Sequence, residues 1–200
     1  MFYQVNGIRL AYDDQGTGLP LVFLHAFPLN RSMWALQVAA LSGQFRTIVV
    51  DLRGHGESDA PIWSFSLDQY ADDVCALLDY LNIPQAVLVG LSMGGYVSLA
   101  FSRKYQNRLK ALVLADTRPQ ADSPDGQAGR FHLAQTAYTK GTEAVAETML
   151  PKLLGATSLQ NKPELVQYVR KTIQHTPVSG ILVDLMAMAA RPDSVAHLCT

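Results

Sequence analysis

Ala86-Val-Leu-Val-Gly90-Leu-Ser92-Met-Gly94-Gly95 is the stretch that decides the fold. Its first half is a continuous apolar run, as a strand buried on both faces of a parallel sheet requires. Its second half is G-x-S-x-G leading into a helical pattern over 93–105. A serine at such a junction sits on a very tight turn. Gly90 and Gly94 lack a Cβ, so strand and helix can close in around it. The turn lifts the Ser92 hydroxyl above the sheet, at the positive end of the next helix. The backbone N–H of Met93 is then placed to donate to an oxyanion. The plain alternative is an ordinary turn with glycines for packing; the flanking strand and helix, and the motifs below, favour a nucleophile.

Working outward, the same buried-strand signature recurs at 21–25, 47–51 and 109–115. Helical patterns separate these runs. Asn30 or Ser32 caps a helix reaching Leu41, and a second helix covers 66–81 until Asn82-Ile-Pro84 stops it. Two short strands, at 2–5 and 8–13, open the chain and meet at Asn6-Gly7, a hairpin turn needing positive φ at both positions. Strands alternating with helices predict an α/β class: a mostly parallel, doubly wound sheet with right-handed crossovers. The character changes after residue 115. Residues 116–129 read as a connection leaving the sheet, and 131–140, 142–153, 163–174 and 178–190 as helices. Pro163 and Pro177 fall where a first helical turn tolerates proline.

Composition excludes several classes of protein. Of 200 residues 48% are apolar and 16% charged, which suits one domain with a sizeable core. A net charge of −1 gives no electrostatic reason to expect nucleic acid or an anionic membrane. No apolar run approaches the ~20 residues that span a bilayer, and residues 181–190 are interrupted by Asp184. The two cysteines, Cys75 and Cys199, lack metal-type spacing, and Cys75 reads as a small buried apolar residue. The expectation is a cytoplasmic chain with no metal and no organic cofactor.

Two further motifs carry a resemblance. His25-Ala-Phe-Pro28 follows the first buried parallel strand, and Asp51-Leu-Arg-Gly54-His-Gly56-Glu-Ser58 follows the next. Together with the serine turn they resemble the α/β-hydrolase superfamily over about residues 8–118. The resemblance implies that Ser92 is the nucleophile and that the Phe27 and Met93 amides form the oxyanion hole. Ala26 stands where the family usually has glycine. By the same likeness His25 is structural rather than a base, and the 51–58 loop is structural too, Asp51 and Arg53 pairing or bonding to backbone. Asp51 or Glu57 as a catalytic acid is disfavoured because family triads run serine, acid, histidine. Ala115-Asp-Thr-Arg118 and Met188-Ala-Ala-Arg-Pro-Asp-Ser194 resemble the 3-oxoadipate enol-lactonase and carboxylesterase branch. This divides the chain into a hydrolase core (1–118), a helical lid insertion (119–191) and the start of a further core segment (192–200).

The resemblance also says what to expect next. In relatives the acid and the histidine follow the lid, so both are expected beyond residue 200 of a longer protein. Asp116 is the candidate acid within the chain; His132, His175 and His197 are weak candidates for the base. The expected function is hydrolysis of an ester or lactone through an acyl-enzyme at Ser92. Apolar lid residues Phe131, Leu133, Met149, Leu185 and Met186 would wall the pocket. The alternatives are a non-catalytic hydrolase-fold binding protein and a cofactor-free haloperoxidase or perhydrolase. The partner is a small-molecule ester or lactone. The strand at 109–115 is expected at a sheet edge, where self-association becomes possible.

Overall fold

The computed structural model describes residues 1–60 and 66–198. Among them six strands form one sheet: β1 (Phe2–Val5), β2 (Ile8–Gln15), β3 (Pro20–Leu24), β4 (Arg46–Val50), β5 (Ala86–Leu91) and β6 (Leu109–Ala115). Their spatial order is β1-β2-β4-β3-β5-β6. β4, β3, β5 and β6 run parallel, while β1 and β2 are antiparallel additions. Asn6 (φ 45°) and Gly7 (φ 79°) both take positive φ, as the hairpin turn demands.

The winding determines where chemistry can sit. From β3 the chain steps outward to β4, then crosses back over β3 to β5 and continues outward to β6. The strand order therefore reverses between β3 and β5. At such a switch point the loops leaving the two carboxyl ends diverge and open a crevice.

Both faces of the sheet are covered. Phe23 and Val49 pack on one face with Trp34 and Val38 of the segment holding α1 (Ala35–Leu41). Val22, Leu24, Ile48 and Val50 point to the other, into the main core with α2 (Leu67–Tyr80) and α3 (Met93–Lys104). This alternation is the period of two that strands impose. Asn30 and Ser66 cap as expected: their side chains accept from the Ser32 N–H at 3.0 Å and the Asp68 N–H at 3.2 Å. β6 ends the sheet, pairs with β5 alone among the described residues, and leaves Val113 48% exposed.

After β6 come α4 (Pro124–Leu153), α5 (Ala156–Asn161), α6 (Pro163–His175) and α7 (Val178–Ala189). Here the structure corrects the sequence reading. The helices expected at 131–140 and 142–153 form one element that starts earlier and is broken at Gly141 (φ 76°, ψ −176°). The glycines and aspartate at 125–129 suggested a loop. Ser123 instead caps the helix by accepting from the Gly126 N–H at 3.2 Å, and Pro124 begins its first turn. α5 is six residues with no buried side chain, so it leaves no apolar stripe to read. Pro177 is the N-cap of α7 rather than a residue of its first turn.

Cys75 lies buried in α2 as a free thiol. Cys199 lies outside the described residues. Among the described residues no helix is long and apolar enough to cross a membrane, and no His, Cys, Asp and Glu cluster could hold a metal.

Candidate active site

Ser92 occupies the turn between β5 and α3 with φ 51° and ψ −109°. A non-glycine residue at positive φ costs about 1–3 kcal/mol and persists only where its surroundings over-determine it. Those surroundings are explicit. The Ser92 N–H donates to the Ala115 carbonyl at 3.0 Å. The Ser92 carbonyl accepts from the N–H groups of Gly95 (3.0 Å) and Tyr96 (3.2 Å) and from Thr117 Oγ1 (2.9 Å). A Cβ on Gly94 would lie 2.1 Å from the Leu24 carbonyl oxygen, and one on Gly90 2.4 Å from that of Gly94. Strand, turn and helix thus meet backbone to backbone.

The loop leaving β3 lies beside this turn. The Ala26 N–H points at Met33 Sδ (3.4 Å), and the Ala26 carbonyl accepts from the Leu29 N–H at 2.8 Å. Among the described residues the Phe27 and Met93 amides have no hydrogen-bond acceptor. For Met93 this is the ordinary condition of a helix's first N–H. Phe27, Ser92 and Asp116 all line one cavity of about 270 Å³, together with Tyr96 and Arg130. Met93 is fully buried.

Asp116 is exposed and has positive φ (42°). The histidines are elsewhere. His25 is fully buried, its Nε2 accepting from the Leu52 N–H at 3.0 Å and its Nδ1 facing the Ala26 carbonyl at 3.1 Å. Burial first, then the neighbouring His55 ring, holds its pKa well below the usual histidine value. A neutral ring donating from Nδ1 satisfies both contacts. His132 lines a second cavity of about 440 Å³, and His175 Nδ1 faces the Lys171 carbonyl. His197 lies near Leu109 and Leu112 of the β6 edge. Among the described residues no histidine lines the Ser92 cavity.

Of the two arrangements expected in the 51–58 loop, an Asp51–Arg53 pair or bonds to backbone, Asp51 adopts the second. Asp51 accepts from the backbone N–H groups of Arg31 (2.8 Å) and Glu57 (2.9 Å) and pairs with the Arg31 guanidinium. Arg53 turns the other way and grips Asp73 of α2 with two bonds of 2.7 Å.

The five apolar residues expected to wall the pocket fall on different cavities. Leu133, Met149 and Leu185 line the larger cavity, and Met149 lines both. Phe131 and Met186 open instead onto a separate surface cleft with Gln127. The reason is helical phase: a two-residue step from Leu133, or one from Leu185, rotates the side chain well away from the shared face.

The two cavities share Phe27, Met149, Arg130 and Lys152. Sequence reading missed the cations. Asp122, with no exposed side-chain surface, pairs with Arg118, Arg130 and Arg191. Burial opposes ionisation of this carboxyl, but the hydrogen bonds from Arg130 and Arg191 outweigh it and hold the pKa well below the usual carboxylate range. The Arg191 guanidinium also lies 4.0 Å from the centroid of the Tyr96 ring. The group ties the start of α4 to the segment after α7. Arg191 stands 69 positions from Asp122, so no local spacing announces that pair.

Residues 20–195 match the family model described as alpha/beta hydrolase fold. The chain belongs to the α/β-hydrolase family. The thermophilic esterase of Thermogutta terrifontis superposes on this hydrolase-fold chain with a TM-score of 0.91 at 41% identity, over 98% of this chain and 73% of that one. The enol-lactonase of Burkholderia xenovorans LB400 superposes with a TM-score of 0.90 at 33% identity, over 97% and 75%. In sequence, 3-oxoadipate enol-lactonase 2 of Acinetobacter baylyi is 31% identical over 80% of this chain and 59% of its own length. The hydrolase-fold chain thus spans about three-fifths of that curated relative.

Proposed function

We propose that the chain carries the nucleophile and oxyanion hole of a serine hydrolase acting on ester or lactone bonds. The observation that carries the reading is Ser92 itself: a positive-φ serine heading α3, in a cavity at the switch point, with Phe27 on the facing loop. Ser92 Oγ attacks the substrate carbonyl. The Phe27 and Met93 amides stabilise the oxyanion, the alcohol departs, and water hydrolyses the acyl-enzyme. The proton of Ser92 needs a base, and we assign that base to sequence outside residues 1–200, because no histidine of the described residues lines the cavity. Asp116 is the candidate acid within the chain.

Residues 119–191 serve in this reading as the lid over the crevice. Arg130 and Lys152 line both cavities, and Lys152 has no ion-pair partner among the described residues. Their charge favours an ester or lactone that also carries a carboxylate, in keeping with the enol-lactonase relatives. Self-association through the β6 edge belongs to the same reading and is read from a native mass.

The test is intact-mass analysis of the protein together with the base-bearing sequence outside residues 1–200, after incubation with a fluorophosphonate, beside Ser92→Ala. Such reagents modify serine efficiently only where a base and oxyanion donors activate it. A stoichiometric adduct lost in Ser92→Ala supports the hydrolase. A folded wild-type protein carrying that sequence and taking no adduct leaves the binding-protein reading, and peroxide-dependent halide oxidation by the same protein would select the haloperoxidase reading.

A further inference from the structure

The 51–58 loop has more to do than hold its own turns. His55, in its middle, is fully buried and directs Nε2 at Asp184 Oδ2 of α7. The Tyr70 hydroxyl of α2 donates to the other oxygen, Asp184 Oδ1. Asp184 is fully buried and Tyr70 nearly so. One carboxylate from the lid is therefore clasped by two groups of the core. Burial, reinforced by the adjacent Asp184 charge, pushes the Tyr70 hydroxyl pKa well above its usual value, so it stays a donor. Arg53, paired with Asp73, lies 5.8 Å from the centroid of the Tyr70 ring, and the His25 ring stands 4.8 Å from that of His55.

This clasp coincides with the tightest approach of α7 to the core. A Cβ on Gly180 would lie 2.3 Å from the Gly54 carbonyl oxygen, so α7 rests on the loop backbone one turn before Asp184. The next side chains along α7 are cavity walls. Leu185 lines the larger cavity and Met188 the cavity of Ser92.

Hydrophobic packing does not fix such a helix. Ile181, Val183, Leu185, Ala187 and Met188 are all buried, so α7 is apolar nearly all round. Apolar burial is non-directional and leaves rotation and sliding weakly specified. Two directional bonds to one carboxylate specify both. A buried charge is a poor way to gain stability, since apolar residues of similar volume often do as well. Its value here lies in placement.

We propose that His55, Asp184 and Tyr70 form a latch that sets the position of α7 and, through Leu185 and Met188, the width of the substrate cavity. They are positioning residues. The placement of α7 stands on its own geometry, while the consequence for substrate rests on the hydrolase reading above.

The test combines two measurements on the protein with its base-bearing sequence outside residues 1–200, as wild type, Asp184→Asn and Gly180→Ala, with Tyr70→Phe replacing Asp184→Asn should that variant not fold. Hydrogen exchange reads the latch. Amides of α7 are expected to exchange at least about tenfold faster in each variant, with β5 and α3 keeping their protection. Fluorophosphonates of short and long chain read the cavity, and the long-to-short labelling ratio is expected to shift severalfold while the short-chain rate stays near wild type. Unchanged α7 protection would overturn the latch. So would a joint loss across α7, β5 and α3, which marks a general contribution to stability. If that wild-type protein takes no fluorophosphonate, the hydrolase reading fails and the exchange data still decide the latch.

Discussion

The turn at Ser92 and the helical segment from Pro124 to Ala189 are built by different means. Around Ser92 the contacts are backbone on backbone: Gly94 against Leu24, Gly90 against Gly94, and the Ser92 carbonyl held by three donors. Apart from the Thr117 hydroxyl, these contacts are made by backbone atoms, which cannot swing aside. In the helical segment the contacts are mostly side chain on side chain, and several glycines face open space, Gly129, Gly141 and Gly155 among them. Rigidity is concentrated where a hydroxyl must be aimed, and slack is left where a pocket must fit something. The Gly54–Gly180 contact and the Asp184 clasp are the places where the second region borrows the first region's tolerances.

The same chemical change should therefore act oppositely in the two regions. The largest effect is expected from Gly94→Ala, whose new Cβ meets the Leu24 carbonyl at 2.1 Å with no side chain to move aside. A loss above about 4 kcal/mol, or failure to fold, is expected from denaturant unfolding. A loss below about 1 kcal/mol would show that the turn relaxes, and the contrast would collapse.

Asp122→Asn sharpens the comparison at intermediate size, because it cuts the ionic tie between α4 and the segment following α7. The Asp122 carboxyl has a depressed folded pKa, so its contribution is present above the unfolded value of about 4 and fades as pH falls through the folded value. The variant should unfold at a lower temperature than wild type at pH 7, with the gap narrowing below pH 4. A gap independent of pH would mean that the arginines do not depend on that charge.

The smallest effect is expected from Gly129→Ala. This glycine lies inside α4, with open space where a Cβ would stand. Removing its freedom in the unfolded chain should stabilise by about 0.5–1 kcal/mol. A destabilisation would reveal packing against 129 and weaken the picture of a slack region.

Legibility followed the same division. The buried strands announced themselves as short apolar runs, and β6 fell at 109–115 as read. The hairpin at Asn6-Gly7 was carried by chemistry needed locally. The serine turn was legible because its steric demand forces glycine at fixed offsets. In the helical segment Ser123 and Pro124 were outvoted by the glycines after them, and α5 had no buried face to mark it. Phe131 and Met186 looked like pocket walls because composition cannot show helical phase against a neighbour.

By itself the sequence determined the α/β class, the order of the strands along the chain, and the tight serine turn between β5 and α3. All of these depend on neighbours within a few positions, where apolar period, turn glycines and caps act directly. Tertiary structure alone decided the rest: that Arg53 grips Asp73 and not Asp51, that three arginines surround Asp122, and that His55 and Tyr70 clasp Asp184. A buried charge must find a partner wherever the fold brings one, and Arg53–Asp73, Asp122–Arg191 and His55–Asp184 stand 20, 69 and 129 positions apart. No local pattern records such distances.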